Sequence, residues 1–304
     1  MPLKVKIHLA LLTVGLTYGA NYTIAKYVMP EYLGPYAVIV LRVVLGAVFF
    51  WIVDYFSTPE KIKYKRDYFA LAGLAMLGVA INQLAFFKGL SMTTPITASV
   101  LMTSSPIIVL ISAYFILREQ ISVQKLIGIS LGATGAILLI GISGFSFNSE
   151  TFNGNILILL NATSFSFYMV LVKPLLLRYK AMTIIKWIFF FAAFAVVPFG
   201  YNELVAVQWS ALPPSVWLSL AYIIIATTWL VYLLNNWSLK FVSPSLVTSY
   251  IYVQPVFSTI VAVIFRGDQL RWEEMGYALL IFVGVYLVSI RKGGKSVKPD
   301  LEAT

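Results

Sequence analysis

The chain has 304 residues, of which 60% are hydrophobic and only 11% charged, and its mean hydropathy is +0.87. Soluble domains carry roughly 25% charged residues, so this chain lacks the polar surface to coat a water-soluble globule and lipid must supply its exterior. The net charge of +10 lies between apolar runs and at the two ends, not interleaved with aromatics on one face, which argues against a nucleic-acid partner. Without cysteine there is no disulfide or thiolate site, and His8, the single histidine, has no partner for a zinc-type cluster. No metal and no cofactor is expected.

Ten apolar stretches approach the roughly 20 residues that a bilayer crossing requires. In chain order they cover 7–29, 35–56, 68–90, 95–117, 123–142 and 154–177, then 183–201, 215–239, 244–265 and 272–290. Their continuity excludes a barrel, whose strands would alternate in short segments. The first stretch follows Lys4 and Lys6 as a secretory leader would, but its apolar run reaches Val28 and no small-x-small site ends it, so an uncleaved helix is expected.

Basic residues concentrate in alternate connections: Lys61, Lys63, Lys65 and Arg66, then Arg118 and Lys125, then Arg178 and Lys180, then Lys240, then the tail from Arg291 to Lys298. The intervening connections are acidic or uncharged; the ninth holds Arg266 and Arg271, but Asp268, Glu273 and Glu274 outnumber them. Positive charge stays on the cytoplasmic side. A multi-pass protein of the inner or plasma membrane follows, with both termini cytoplasmic.

The block 90–138 matches the block 239–287 at one constant offset. Pro95 falls on Pro244, Pro106 on Pro255, Ala113 on Ala262, Glu119 on Asp268, Gln120 on Gln269 and Gly135 on Gly284. Chance likeness between apolar helices does not bring two prolines and an acid–glutamine pair into common register. Five crossings per unit turn the second unit upside down, giving the inverted repeat of many secondary transporters. The expected fold class is therefore an all-α polytopic membrane protein of ten helices in two inverted five-helix repeats, 1–146 and 147–304.

The ordered set of Asn21 and Lys26, Leu41-Arg42, Pro95, Pro106, Arg118-Glu119, Gly128 and Gly135, with its weaker echo at Pro244, Pro255, Asp268, Gly276 and Gly284, resembles the drug/metabolite transporter superfamily in its ten-span EamA-type branch. The resemblance covers nearly the whole chain. It implies a metabolite or drug exporter with a central cavity between the halves, and it leaves the substrate open among amino acids, sugars, nucleosides and xenobiotics.

Pro106 and Pro255 fall mid-span, where proline removes a donor and frees the carbonyl four residues back, here Met102 and Ile251. Together with Glu119 and Asp268 they are the candidate kinks and gates. Uncharged polar groups recur at membrane depth and must face the bundle interior, because an unpaired amide in hydrocarbon costs about several kcal/mol. The candidate substrate-binding residues are Asn21, Tyr22, Asn82, Gln83, Thr103 and Asn161, with Tyr168, Trp229, Tyr232, Tyr250 and Gln254. Arg42, the deepest cation, is a candidate anion contact. Lys26, Lys88, Lys173 and Lys186 are expected to snorkel to the headgroups.

All twelve carboxylates fall in loops, tails or helix ends, so the expectation is transport without proton coupling. No acid–base–nucleophile set converges in the interior, so no enzyme is expected. Amino acids are the first substrate guess, motivated by the amide- and aromatic-rich interior. The alternatives are a cationic drug exporter or a sugar-phosphate or nucleotide-sugar exchanger, and a phosphate carrier would want two or more cavity cations. The expected partners are the bilayer and a small-molecule substrate, with a monomer favoured.

Overall fold

A computed structural model describes residues 2–57, 59–140, 149–258 and 272–290. Among the described residues the secondary structure is helical, with no strand. The helices are α1 (Leu3–Val28), α2 (Pro35–Phe56), α3 (Lys65–Met92), α4 (Pro95–Met102), α5 (Ser105–Leu117) and α6 (Val123–Ile140). They continue as α7 (Ser149–Leu171), α8 (Lys173–Leu176), α9 (Ala181–Val205), α10 (Pro214–Phe241), α11 (Pro244–Ser249) and α12 (Trp272–Ser289). Six helical segments are long and apolar enough to cross a membrane: Pro35–Phe56, Lys65–Met92, Thr97–Leu117, Thr151–Leu176, Ala181–Val205 and Pro214–Phe241. Exposed leucine, isoleucine, valine and phenylalanine stud their outward faces, as a lipid-facing surface requires.

The stretch expected at 95–117 is broken. Thr103 and Ser104 form a turn between α4 and α5, and Pro106 enters α5 in its first turn, where its missing N–H costs nothing. The hydroxyls of Thr103 and Ser104 donate to the carbonyls of Val100 at 2.6 Å and Leu101 at 2.7 Å, healing the break. The equivalent stretch breaks likewise. A 3₁₀ turn, Tyr250–Val253, follows α11, and helix resumes over 254–258 around Pro255.

Helices α3 and α10 each contain a π-helical turn, Met76–Ala80 and Tyr222–Leu230. A wider turn misaligns backbone bonds and needs local side-chain support. Ser164 donates to Leu77 O at 2.6 Å, Tyr232 to Gly78 O at 2.9 Å, and Thr227 and Thr228 both to Ile223 O.

The most extensive packing pairs α6 with α12, α2 with α9 and α3 with α7. Small residues allow the closest approach. A Cβ added at Gly284 would lie 2.6 Å from the Gly128 carbonyl, and one at Gly200 would lie 2.4 Å from that of Tyr36.

Several hydrogen bonds recur at positions related by the sequence repeat. Thr94 caps α4 by accepting from Thr97 N, and Ser243 caps α11 by accepting from Leu246 N. Lys26 Nζ donates to the carbonyls of Leu90, Ser91 and Thr93 at 2.9–3.0 Å, in and just past the last turn of α3. Lys173 Nζ donates to those of Leu239, Lys240 and Val242, in and just past the last turn of α10. Carboxylates cap the two partner helices α2 and α9: Glu203 accepts from Tyr36 N and Ala37 N, and Glu60 accepts from Lys180 N.

The snorkelling expected of the lysines is corrected for three of the four. Lys26 and Lys173 turn to helix-end carbonyls, which lack intrahelical donors. Lys186 is buried and donates to Asp54 of α2. Lys88 is half-buried near the Tyr36 ring. Between α8 and α9, the buried Tyr179 hydroxyl donates to Asp67 at 2.7 Å, beside Arg178 at 3.1 Å from the same carboxylate. Burial, reinforced by that carboxylate, holds the Tyr179 hydroxyl above its ordinary titration range.

Candidate functional site

The two helix breaks border a cavity, which offers about 60 Å³ to the centres of water molecules. A single buried water needs roughly 10–15 Å³ on that measure, so several waters or part of a small solute fit. Its wall comes from both sequence repeats. Tyr18, Asn21 and Tyr22 of α1, Arg42 of α2 and Asn82 and Gln83 of α3 form one side. Asn161 of α7, Asn235 of α10, Thr248 of α11 and Tyr250 and Gln254 beyond it form the other. Met102 and Ile251, whose carbonyls the two prolines were expected to free, both line it. Phe86 and Phe165 supply aromatic wall.

Arg42 is 2% exposed, and its fixed position follows from the π turn of α10. Nε donates to Thr228 Oγ1 at 2.8 Å and one terminal nitrogen to Thr227 O at 3.2 Å, both inside that turn. The other terminal nitrogen donates to Gln83 Oε1 at 2.9 Å, and the guanidinium lies 4.8 Å from the Phe87 ring centroid. These partners are all neutral. A guanidinium carries five N–H donors, so the three bonds leave donors over, and the charge is uncompensated by any carboxylate among the described lining residues.

The amides form a network around it. Gln83 Nε2 donates to Tyr232 at 2.7 Å and to Asn82 Oδ1 at 3.1 Å. Asn161 Nδ2 donates to Asn82 O at 2.8 Å, and Asn82 Nδ2 reciprocates to Asn161 O at 3.4 Å. Tyr22 donates to Gln254 Oε1 at 3.1 Å, joining α1 to the segment after the 3₁₀ turn. The buried Oδ1 atoms of Asn21 and Asn161 have no partner among the described residues. Unpartnered buried acceptors call for water or a ligand donor.

Eight of the expected site residues meet at this cavity: Asn21, Tyr22, Arg42, Asn82, Gln83, Asn161, Tyr250 and Gln254. Four expected there are elsewhere. Thr103 spends its hydroxyl on Val100 O, and Tyr168 packs on Gly78 and donates to Asn236 at 2.8 Å. Trp229 stacks flat on Phe49 at 3.9 Å, and Tyr232 stands behind Arg42, bonded to Gln83 and Gly78. Side-chain type placed them at depth; helix rotation turned them away. Glu119 pairs with Lys125 in the first turn of α6, and Asp268 lies outside the described residues.

Sequence reasoning missed Tyr18 and the aromatic wall, which read as ordinary core. It also missed His8, whose ring nitrogen bonds the hydroxyl of the cavity-lining Tyr250 across 242 positions of sequence. Asn235, noted as a polar group at depth, belongs in the wall.

The EamA-like transporter family matches residues 5–141 and again 152–290. The chain belongs to this family. It is similar to an uncharacterized transporter of Archaeoglobus fulgidus, 23% identical over 94% of this chain and 98% of the relative. It resembles the uncharacterized transporter YyaM of Bacillus subtilis, 23% identical over 93% of each chain. A WAT1-related protein of Arabidopsis thaliana is 25% identical over 94% of this chain and 82% of its own length. A crystal structure superposes with a TM-score of 0.73 over 92% of this chain and 94% of its own, at 18% identity, sharing the fold. This is a transporter family, and the chain is a membrane protein with several apolar helices.

Proposed function

We propose that this EamA-type protein carries a small carboxylate-bearing metabolite, amino acids first, out of the cell by alternating access through the central cavity. The carrying observation is a single uncompensated guanidinium, Arg42, set in a wall of six amides: Asn21, Asn82, Gln83, Asn161, Asn235 and Gln254. Such a wall binds one anionic group firmly and orients polar substituents, while Phe86 and Phe165 cover an apolar side chain.

Ten spans in two inverted halves, 1–146 and 147–304, with both termini cytoplasmic in the cell membrane, are the architecture this reading requires. Its support is the repeated pattern of proline breaks, π turns, caps and lysine contacts, and the twofold family match. A monomer suffices for this reading, since described residues from both repeats of one chain line the cavity. A sugar-phosphate exchanger is disfavoured because Arg42 is the one cation among the described lining residues. Those lining residues include no aspartate, glutamate or histidine, which supports facilitated exchange or efflux rather than proton coupling.

Counterflow in proteoliposomes tests the reading. A panel of amino acids, nucleosides, sugar phosphates and organic cations is offered with and without a pH gradient. Exchange of at least one carboxylate-bearing solute, undiminished when the gradient is collapsed, is expected. Exchange restricted to cations, or flux that stops without the gradient, refutes it.

A further inference from the structure

We infer that Lys26 and Lys173 are positioning residues for the transport cycle: twin clasps, each holding one mouth of the cavity shut. The inference rests on the carrier reading, because it takes the two halves as inverted and so sets the lysines at opposite membrane faces. Each ammonium ties one packed pair of helices to the other: α1 lies against α10 and α3 against α7, and Lys26 links α1 to the end of α3 while Lys173 links the end of α7 to that of α10. Lys26 extends from the last turn of α1 to carbonyls of Leu90, Ser91 and Thr93, where α3 gives way to α4. Helices α1, α3 and α4 all contribute wall, through Asn21, Gln83 and Met102.

Lys173, just past α7, does the same for the junction of α10 and α11 through Leu239, Lys240 and Val242. Those helices contribute Asn161, Asn235 and Thr248.

The chemistry suits a clasp. An ammonium has three donors and no acceptor, and each lysine meets three carbonyls. The acceptors include the final carbonyls of α3 and α10, which carry the negative end of the helix dipole and have no partner in the helix. Spreading α1 from the α3–α4 junction strips all three bonds from Lys26 together, so that mouth opens only when its clasp lets go. The same holds for Lys173 at the opposite mouth. Snorkelling lysines would make no such paired, three-carbonyl contacts at repeat-related positions.

Sided labelling tests this, and the native absence of cysteine leaves no background. A single Val14→Cys reporter in the cavity wall is reconstituted in one orientation and reacted with an impermeant maleimide added inside or outside. Lys26→Met should raise labelling from the face reached by the α3–α4 turn about tenfold, the weight of one charge-assisted bond, and leave the other face unchanged or lower. Lys173→Met should do the reverse, and the double variant should approach the parental ratio. Lys26→Gln and Lys173→Gln, which keep a donor and side-chain length, serve if either methionine variant does not fold.

Turnover should fall in each single variant while equilibrium binding of the exchanged solute stays within about twofold, as expected for residues that do not touch it. Equal labelling changes at both faces, or none, overturn the clasps. Loss of exchange for every solute in the parental protein would sink the carrier reading instead, whatever the labelling shows.

Discussion

Replacing Asp54 with asparagine should destabilise the protein by about 3–5 kcal/mol, the cost of stranding one partner of a buried ion pair. Asp54 of α2 and Lys186 of α9 contact each other with side chains only 5% and 7% exposed, so solvent screens little of the interaction. Lys186 Nζ also lies 5.0 Å from the Trp51 ring centroid, a cation–π contact of about 0.5–2 kcal/mol that Lys186→Met would forfeit. Lys186→Met therefore leaves an unpaired carboxylate and should cost at least as much as Asp54→Asn. The double variant removes both charges and the cost of desolvating them, and leaves only one neutral amide at position 54. Its stability should return to within about 1–2 kcal/mol of the parent, a coupling of several kcal/mol. Equilibrium unfolding in mixed micelles, followed by helical circular dichroism, reads all four proteins. Single-variant losses below about 1 kcal/mol, or losses that simply add in the double variant, would refute the argument that the pair is buried and mutually dependent.

Gly284→Val should lower the yield of monodisperse protein sharply, because its Cβ meets the Gly128 carbonyl at 2.6 Å and backbone cannot yield cheaply; Gly73→Ala, with open space around it, should behave as parent in size-exclusion chromatography. Arg42→Gln should weaken binding of a carboxylate-bearing solute about tenfold or more while sparing its uncharged amide analogue, measured by competition in counterflow. Equal loss for both would mean that Arg42 only holds the wall together. Thr94→Ala and Ser243→Ala should each cost about 1 kcal/mol as lost helix caps, and by nearly equal amounts if the repeat-related caps are equivalent.

Helix positions and the EamA-type resemblance were readable because apolar run length, proline spacing and a fixed-offset repeat are properties of the linear chain. The polar composition of the cavity was readable too, since amides in lipid must turn inward. Which amides and aromatics line it was not. Trp229 and Asn235 sit on the same helix, yet one stacks on Phe49 and the other faces the cavity, because a six-residue separation puts them on different faces and only the packing of neighbouring helices decides which face meets the cavity.

The lysines show the same division. Membrane depth and charge said that Lys26, Lys173 and Lys186 needed polar company, and headgroups looked the nearest source. Two found carbonyl triads and one found Asp54, none of them near in sequence. Hydropathy is a sum over neighbours along the chain, so sequence alone determined the membrane class, the repeat and the breaks at Pro106 and Pro255. Hydrogen-bond partners are chosen in three dimensions by helix rotation and backbone approach. Tertiary structure alone therefore decided that Arg42 stands among neutral groups at a cavity and that His8 reaches Tyr250.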